Sequence, residues 1–325
     1  LNPDGSGLVY STFLGGQSSE TGYCVALGPT GIAYITGTTT YLGFPEVNAV
    51  NYVQGDKDVF VAKFDVDLAG AASLLYSVRI GAGSFNYCSA HGIAVDQLGN
   101  AYVTGSVGVG FGGSSFPVTA GAFNTTYDGG MDGGCAYLLK LGTTLPVSLD
   151  YATYLGPGMG TSVDVDDDNG EAFVVGRTAT STFPVTAGAL QTTIGGGSGD
   201  AFVLKMNNDG SALIYSTFLG GSGQDEGTDI VVNNIGEAYA AGISRGNFPT
   251  SPGAYQELHA GVFSNDVWVV QLNIDGTGYG CGGSTYVGGT EDEYYGSFYD
   301  YLAPSIALRD NGGFQDTLSI AATTH

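Results

Sequence analysis

Carboxylates are the side chains best able to do chemistry in this chain. Asp and Glu number 31 against 8 Lys plus Arg, a net charge of −23 over 325 residues. Three clusters stand out: Glu20; Asp225 with Glu226; and Glu291, Asp292 and Glu293. Converging carboxylates could hold a cation or a sugar, or serve as the acid and base of glycoside hydrolysis at a retaining or inverting separation. The alternative is that they cap Gly-rich loops by accepting backbone N–H bonds. The run DVDDDNGE (164–171) has the composition of a calcium loop, with Asp164, Asp166 and Asp168 as alternating oxygen ligands. Against calcium, the run falls at a hairpin turn, and no glutamate stands twelve positions from the first Asp. No other cofactor is suggested.

Aromatic chemistry concentrates in TEDEYYGSFYDYLAP (290–304), where Tyr294, Tyr295, Tyr299 and Tyr301 offer rigid amphipathic area for a protein or sugar contact. The alternative is an aromatic plug between sheets. Asn124-Thr125-Thr126 is a glycosylation sequon in an expected loop. Cys24, Cys88, Cys135 and Cys281 lack CxxC or Cys/His spacing. Cys88 and Cys135 fall on strands expected to run the same way, which suggests a disulfide formed in an oxidising compartment; buried free thiols are the alternative. His91, His259 and His325 are scattered, and nothing resembles a Ser/His/Asp set, a phosphate loop or HExxH. No catalytic residue is therefore assigned.

The elements that position these groups announce themselves by repetition. FPEVNAVNYVQ (44–54), FPVTAGAFNTT (116–126), FPVTAGALQTT (183–193) and FPTSPGAYQEL (248–258) start 72, 67 and 65 residues apart. AYITG, AYVTG, AFVVG and AYAAG precede them; DVFVAKF, CAYLLKL, DAFVLKM and DVWVVQL follow; YSTFLGG-like phrases close each unit. Each period holds four short strand candidates bounded by Gly, Asp, Asn or Pro, and none shows a sustained helical period. Four antiparallel strands repeated about an axis make an all-β propeller, with a β-solenoid as the less favoured array.

The phrases GIAVDxxGNAYVTG, FPxTxGAF, DAFVxKL and YSTYLGG resemble the bacterial β-propeller repeats known as SBBP repeats. Residues 92–105, 116–123, 200–206 and 215–221 carry the likeness most closely. The resemblance implies a secreted or surface-exposed propeller, often a module of a large protein, and transfers no catalytic residue.

One propeller domain over 1–325 is expected, with blades at about 17–80, 84–155, 159–219 and 224–289. A fifth blade would join 303–325 to the N-terminal strand 7–15. The tail supplies a first and a second strand and then no clear third. Beside that closure, two other options stand: the chain is a fragment of a longer one, or its N-terminal strand completes a neighbouring molecule's blade.

Strand alternation puts the long FP loops (44–57, 116–133, 183–199, 248–265) and the acidic clusters on one face, the expected binding surface. Lys63, Lys140 and Lys205 recur at one third-strand position, where the fourth unit has Gln271. Their stems are expected between blades. The acidity excludes nucleic acid and anionic membrane surfaces, and no apolar run is long enough to span a bilayer. The function expected is a non-enzymatic extracellular or cell-surface module, structural, adhesive or self-assembling. Its partners would be further copies, other surface proteins or a polysaccharide. The alternative is a carbohydrate-active enzyme or lectin using axial carboxylates.

Overall fold

The computed structural model describes residues 1–40, 43–110, 114–129, 134–261, 265–289, 304–309 and 317–321. β-Branched and aromatic runs form strands, and Asp/Asn-Gly turns join them. The first sheet holds β1 (Glu20–Leu27), β2 (Ala33–Thr40), β3 (Lys57–Phe64) and β4 (Leu74–Ile80). The second holds β5 (Asn86–Val95), β6 (Ala101–Val109), β7 (Cys135–Leu141) and β8 (Leu149–Pro157). The third holds β9 (Met159–Val165), β10 (Ala172–Thr178), β11 (Asp200–Met206) and β12 (Leu213–Leu219). The fourth holds β13 (Asp225–Val232), β14 (Ala238–Ser244), β15 (Asp266–Leu272) and β16 (Tyr279–Val287). β17 (Ser305–Arg309) and β18 (Thr317–Ala321) pair as a two-stranded sheet. Within every sheet the pairing is antiparallel and sequential; a parallel bridge, Lys57 to Tyr87, links the first two, and another joins Ala49 to Val147. No helix among the described residues is long and apolar enough to cross a membrane.

Each of the four complete sheets has a bulge in its first strand, with Tyr23, His91, Thr161 and Thr228 as the extra residues in the ladder. The second strand answers with a glycine: Gly37, Gly105, Gly176 and Gly242. A Cβ at any of them would overlap the backbone carbonyl of Thr21, Ser89, Met159 or Glu226 respectively. The glycine ending AYITG, AYVTG, AFVVG and AYAAG is thus required by the bulge opposite it.

Sheets pack face to face in chain order. One cluster lies between the first and second sheets, another between the second and third, another between the third and fourth. Ile306 and Leu318 then join Ala241 and Val269 of the fourth. The phenylalanine of each Phe-Pro phrase meets the aromatic of its own third strand. Phe44 lies 4.9 Å from Phe60 and Phe116 4.9 Å from Tyr137, while Phe183 stacks on Phe202 at 4.2 Å and Phe248 on Trp268 at 4.5 Å. Trp268 is core, as its strand position suggests.

The Phe-Pro loops differ from expectation. Beyond the phenylalanine they run down the outer edge of the fourth strand instead of standing out as binding loops. Ser77, Ser216 and Ser284 donate their hydroxyls to the carbonyls of Pro45, Pro184 and Pro249. The backbone N–H groups of Asn124, Gln191 and Gln256 donate to the hydroxyls of Thr153, Thr217 and Thr285 at 2.9, 2.9 and 3.0 Å. An uncovered outer strand would offer a row of free backbone groups, and these loops close it.

The repeat lysines take the interlayer place expected. Their amines stand 4.9, 5.0 and 4.9 Å from the ring centres of Tyr34, Tyr102 and Phe173. Lys140 donates to Asn208 at 2.7 Å, and Lys205 pairs with Glu171 at 2.6 Å. Lys205→Met removes a nearly buried charge-assisted bond, so it is expected to cost about 1–3 kcal/mol in urea unfolding. A melting curve matching the wild type would contradict this.

Two expectations are corrected. Cys88 and Cys135 are free and buried, not bridged. Both pair with Val107, from opposite sides, so two strand spacings, about 10 Å, separate their backbones, beyond disulfide reach. The N-terminal segment 8–15 forms no strand. Its side chains nevertheless dock: Tyr10 and Leu14 pack against Phe44, Phe60 and Phe64 of the first sheet.

Candidate functional site

The alignment of strands sets a polar row at the loop-bearing end of each sheet. Glu20, Thr39 and Asp58 lie side by side in the first. Cys88, Val107 and Cys135 do so in the second, Thr178 and Asp200 in the third, and Asp225, Ser244 and Asp266 in the fourth. The two cysteines therefore occupy the places where the fourth sheet carries a carboxylate pair. The third-strand acids Asp58, Asp200 and Asp266 were legible as the first letter of DVFVAKF, DAFVLKM and DVWVVQL, but were not singled out.

These buried carboxylates hold the loops above them. Gly55 donates its N–H to Asp58 at 2.7 Å, Ala260 to Asp266 at 2.7 Å, and Gly221 to Asp225 at 2.8 Å; Gly195 donates to Asp200. Asp58 also pairs with Arg79 at 2.6 Å, and His259 Nε2 stands 3.7 Å from Asp266. The second oxygen of Asp200, Asp225 and Asp266 has no hydrogen-bond partner among the described residues. Glu20 accepts from Thr39 at 3.1 Å. Burial raises Asp58 and Asp200 above the usual carboxylate range, and lifts Asp225 to about 7. Burial also lifts Glu226 to about 7, with the Arg177 charge opposing.

Deeper along the first strands, the bulges knit neighbouring sheets. Thr161 donates to the carbonyl of Gly227 at 2.6 Å, and Thr228 to that of Pro304 at 2.7 Å. Asp229 bonds Ser162 at 2.8 Å, Ser305 at 2.9 Å and the Ile306 N–H at 2.8 Å. His91 lies against Ser89 at 3.1 Å and Tyr23 at 5.6 Å, and burial pushes it down to about 4, so it is neutral at physiological pH. These contacts are structural, and none presents a free acid–base pair.

Asp164, Asp166 and Asp168 are not brought round one point. Asp164 accepts from the Val232 N–H at 2.7 Å, across to the next sheet. Asp166 caps its own turn through Asp168 N–H at 3.0 Å and Asn169 at 2.9 Å. No group of three metal-binding side chains occurs among the described residues. The turn itself claims the oxygens of Asp166, and the next sheet claims Asp164. Asn124 is half-buried and accepts the Thr126 N–H at 2.9 Å. Glu291, Asp292, Glu293, Tyr294, Tyr295, Tyr299, Tyr301 and His325 lie outside the described residues.

The raised carboxyls set the pH response. In the unfolded chain, Asp164, Asp225 and Glu226 lose their protons in the ordinary carboxylate range; in the fold burial makes them hold those protons to about 7. The unfolded state releases protons first, so stability falls as pH rises through that window. The melting temperature is expected to be higher at pH 5 than at pH 8, and less so in Asp225→Asn. A rise in melting temperature from pH 5 to pH 8 would contradict the assignment.

No curated protein matches the sequence. Residues 75–108, reaching from the fourth strand of the first sheet through the second strand of the next, match the SBBP beta-propeller repeat, so the chain carries a repeat of that family.

Proposed function

We propose that the 325 residues form one five-bladed propeller, a non-enzymatic extracellular or cell-surface module with a structural or adhesive task. The four complete sheets are its first four blades; β17 and β18 begin the fifth, and segment 8–16 ends it. The carrying observation is that the row of buried carboxylates at the loop-bearing end is engaged by backbone N–H groups of its own loops. Acids fixed in this way hold loops in shape. The match to a propeller repeat supports the architecture, and fold alone assigns no reaction. The net charge of −23 favours a soluble surface facing other proteins, further copies or neutral glycans over nucleic acid.

The test is turnover. The purified chain, offered a panel of neutral and acidic polysaccharides, is expected to release no reducing ends. Release that disappears in Glu226→Gln would overturn the reading in favour of a glycosidase.

A further inference from the structure

The hairpin of β5 and β6 outgrows its counterparts. In the first and fourth sheets the ladder between first and second strands begins at the polar row, with Glu20 opposite Thr39 and Asp225 opposite Ser244. In the second sheet it continues past the corresponding pair, Cys88 and Val107, through Tyr87 opposite Gly108 to Asn86 opposite Val109. At about 3.4 Å per residue, this ribbon stands about 7 Å beyond the row. The connection leading into it is longer to match. Residues 81–87 lie between β4 and Cys88, whereas 220–224 suffice between β12 and Asp225.

Two aromatic side chains stand on the ribbon in water. Phe85 is 62% exposed and Tyr87 54%, while Asn86 between them is buried. Asn86 donates to the Ala82 carbonyl at 2.6 Å and accepts the Gly110 N–H at 3.1 Å. The parallel bridge from Tyr87 to Lys57 ties the ribbon to the first sheet. Glycines stand where other side chains would crowd the rings. Gly108 faces Tyr87, and a Cβ on Gly110 would overlap the Phe85 carbonyl.

Phe85 has a φ of 64°. Glycine occupies that left-handed region freely, and a bulky side chain does so only under strain. Packing does not offset the strain, because most of the ring is exposed. A turn that glycine would build more easily carries a phenylalanine instead, so the ring serves something outside the fold.

We propose that Phe85 and Tyr87 form a stacking platform for a neutral glycan chain. This names a ligand for the adhesive reading and rests on it. The face of an aromatic ring carries partial negative charge, and the C–H groups on the flat side of an equatorially substituted sugar lie against it. Ser84, exposed beside Phe85, offers a hydroxyl to the sugar's rim. The net charge of −23 selects against acidic glycans. Even fully covered, two such rings bury about 300–500 Å², short of the about 800 Å² per partner typical of a stable protein interface.

The test is calorimetric titration of the full chain with cellohexaose and chitohexaose, with hexagalacturonate as the acidic control. At least one neutral hexasaccharide is expected to bind saturably. Phe85→Gly removes the ring and the strain together, so it is expected to fold as well as the wild type and to weaken binding about fivefold or more; Tyr87→Ala is expected to weaken it similarly. Absence of binding to both neutral probes, binding indifferent to both substitutions, or equal binding of the acidic control would overturn the proposal. So would dimers that Phe85→Gly dissolves, since these would make the rings a contact between copies. The recovered sugar separates the two failures. A hexasaccharide left intact and unbound sinks the platform alone, whereas one that is cut sinks the non-enzymatic reading beneath it.

Discussion

Gly242→Ala is expected to leave little folded protein. Gly242 lies on β14 directly across from the bulge of β13, where its α-carbon faces Gly227. A methyl group there would overlap the Glu226 carbonyl on one side and the indole of Trp268 on the other. Neither can yield. The carbonyl belongs to the bulge that aims Thr228 at Pro304. The indole is fully buried, stacks on Phe248 and donates to the Ile243 carbonyl at 3.0 Å. Overpacking a core ordinarily costs about 1–3 kcal/mol, and more where backbone is the obstacle, so a loss of at least about 3 kcal/mol in urea unfolding is expected. Gly108→Ala is the control: its nearest neighbour, the Tyr87 carbonyl, would stand 3.8 Å away. Equal stability of the two variants would remove the bulge-and-glycine account of the repeat.

Asp58→Ala is expected to cost about 3–5 kcal/mol, because it strands a buried guanidinium. Arg79 is 2% exposed and ion-paired to Asp58, which also holds the Gly55 N–H. The reverse change should be milder. Arg79→Tyr installs the residue found at the same place in the second and fourth sheets, Tyr154 and Tyr286. It leaves Asp58 holding its loop, as Asp200 and Asp266 hold theirs without an arginine. Equilibrium unfolding of both variants checks the order; an Arg79→Tyr protein less stable than Asp58→Ala would contradict it.

The fold was legible because the repeat writes its constraints in fixed phrases. AYVTG predicted a strand, and the structure adds why it ends in glycine. FPVTAGA predicted a loop, but its course along the outer strand depends on Ser216 and Thr217 far along the chain, so local pattern could not show it. The disulfide expected between Cys88 and Cys135 failed for a similar reason. Strand direction was read correctly, yet β6 stands between them, and lateral distance is not written in either segment. The acids Asp225 and Glu226 were found by composition. The engagement of Asp225 by the Gly221 N–H and the burial of both acids are matters of tertiary placement, as is the turning of Asp164 and Asp166 toward separate partners. Segment 8–15 carries the letters of a strand without being one, because a ladder requires a neighbour as well as a propensity.

Small-angle X-ray scattering of the purified monomer tests the wheel-like arrangement most directly. Sheets wedged side by side about a common hub predict a radius of gyration of about 20 Å for a compact chain of this length, with a single-humped distance distribution. A value above about 30 Å, with the long tail of a rod or a string of separate sheets, would contradict the arrangement.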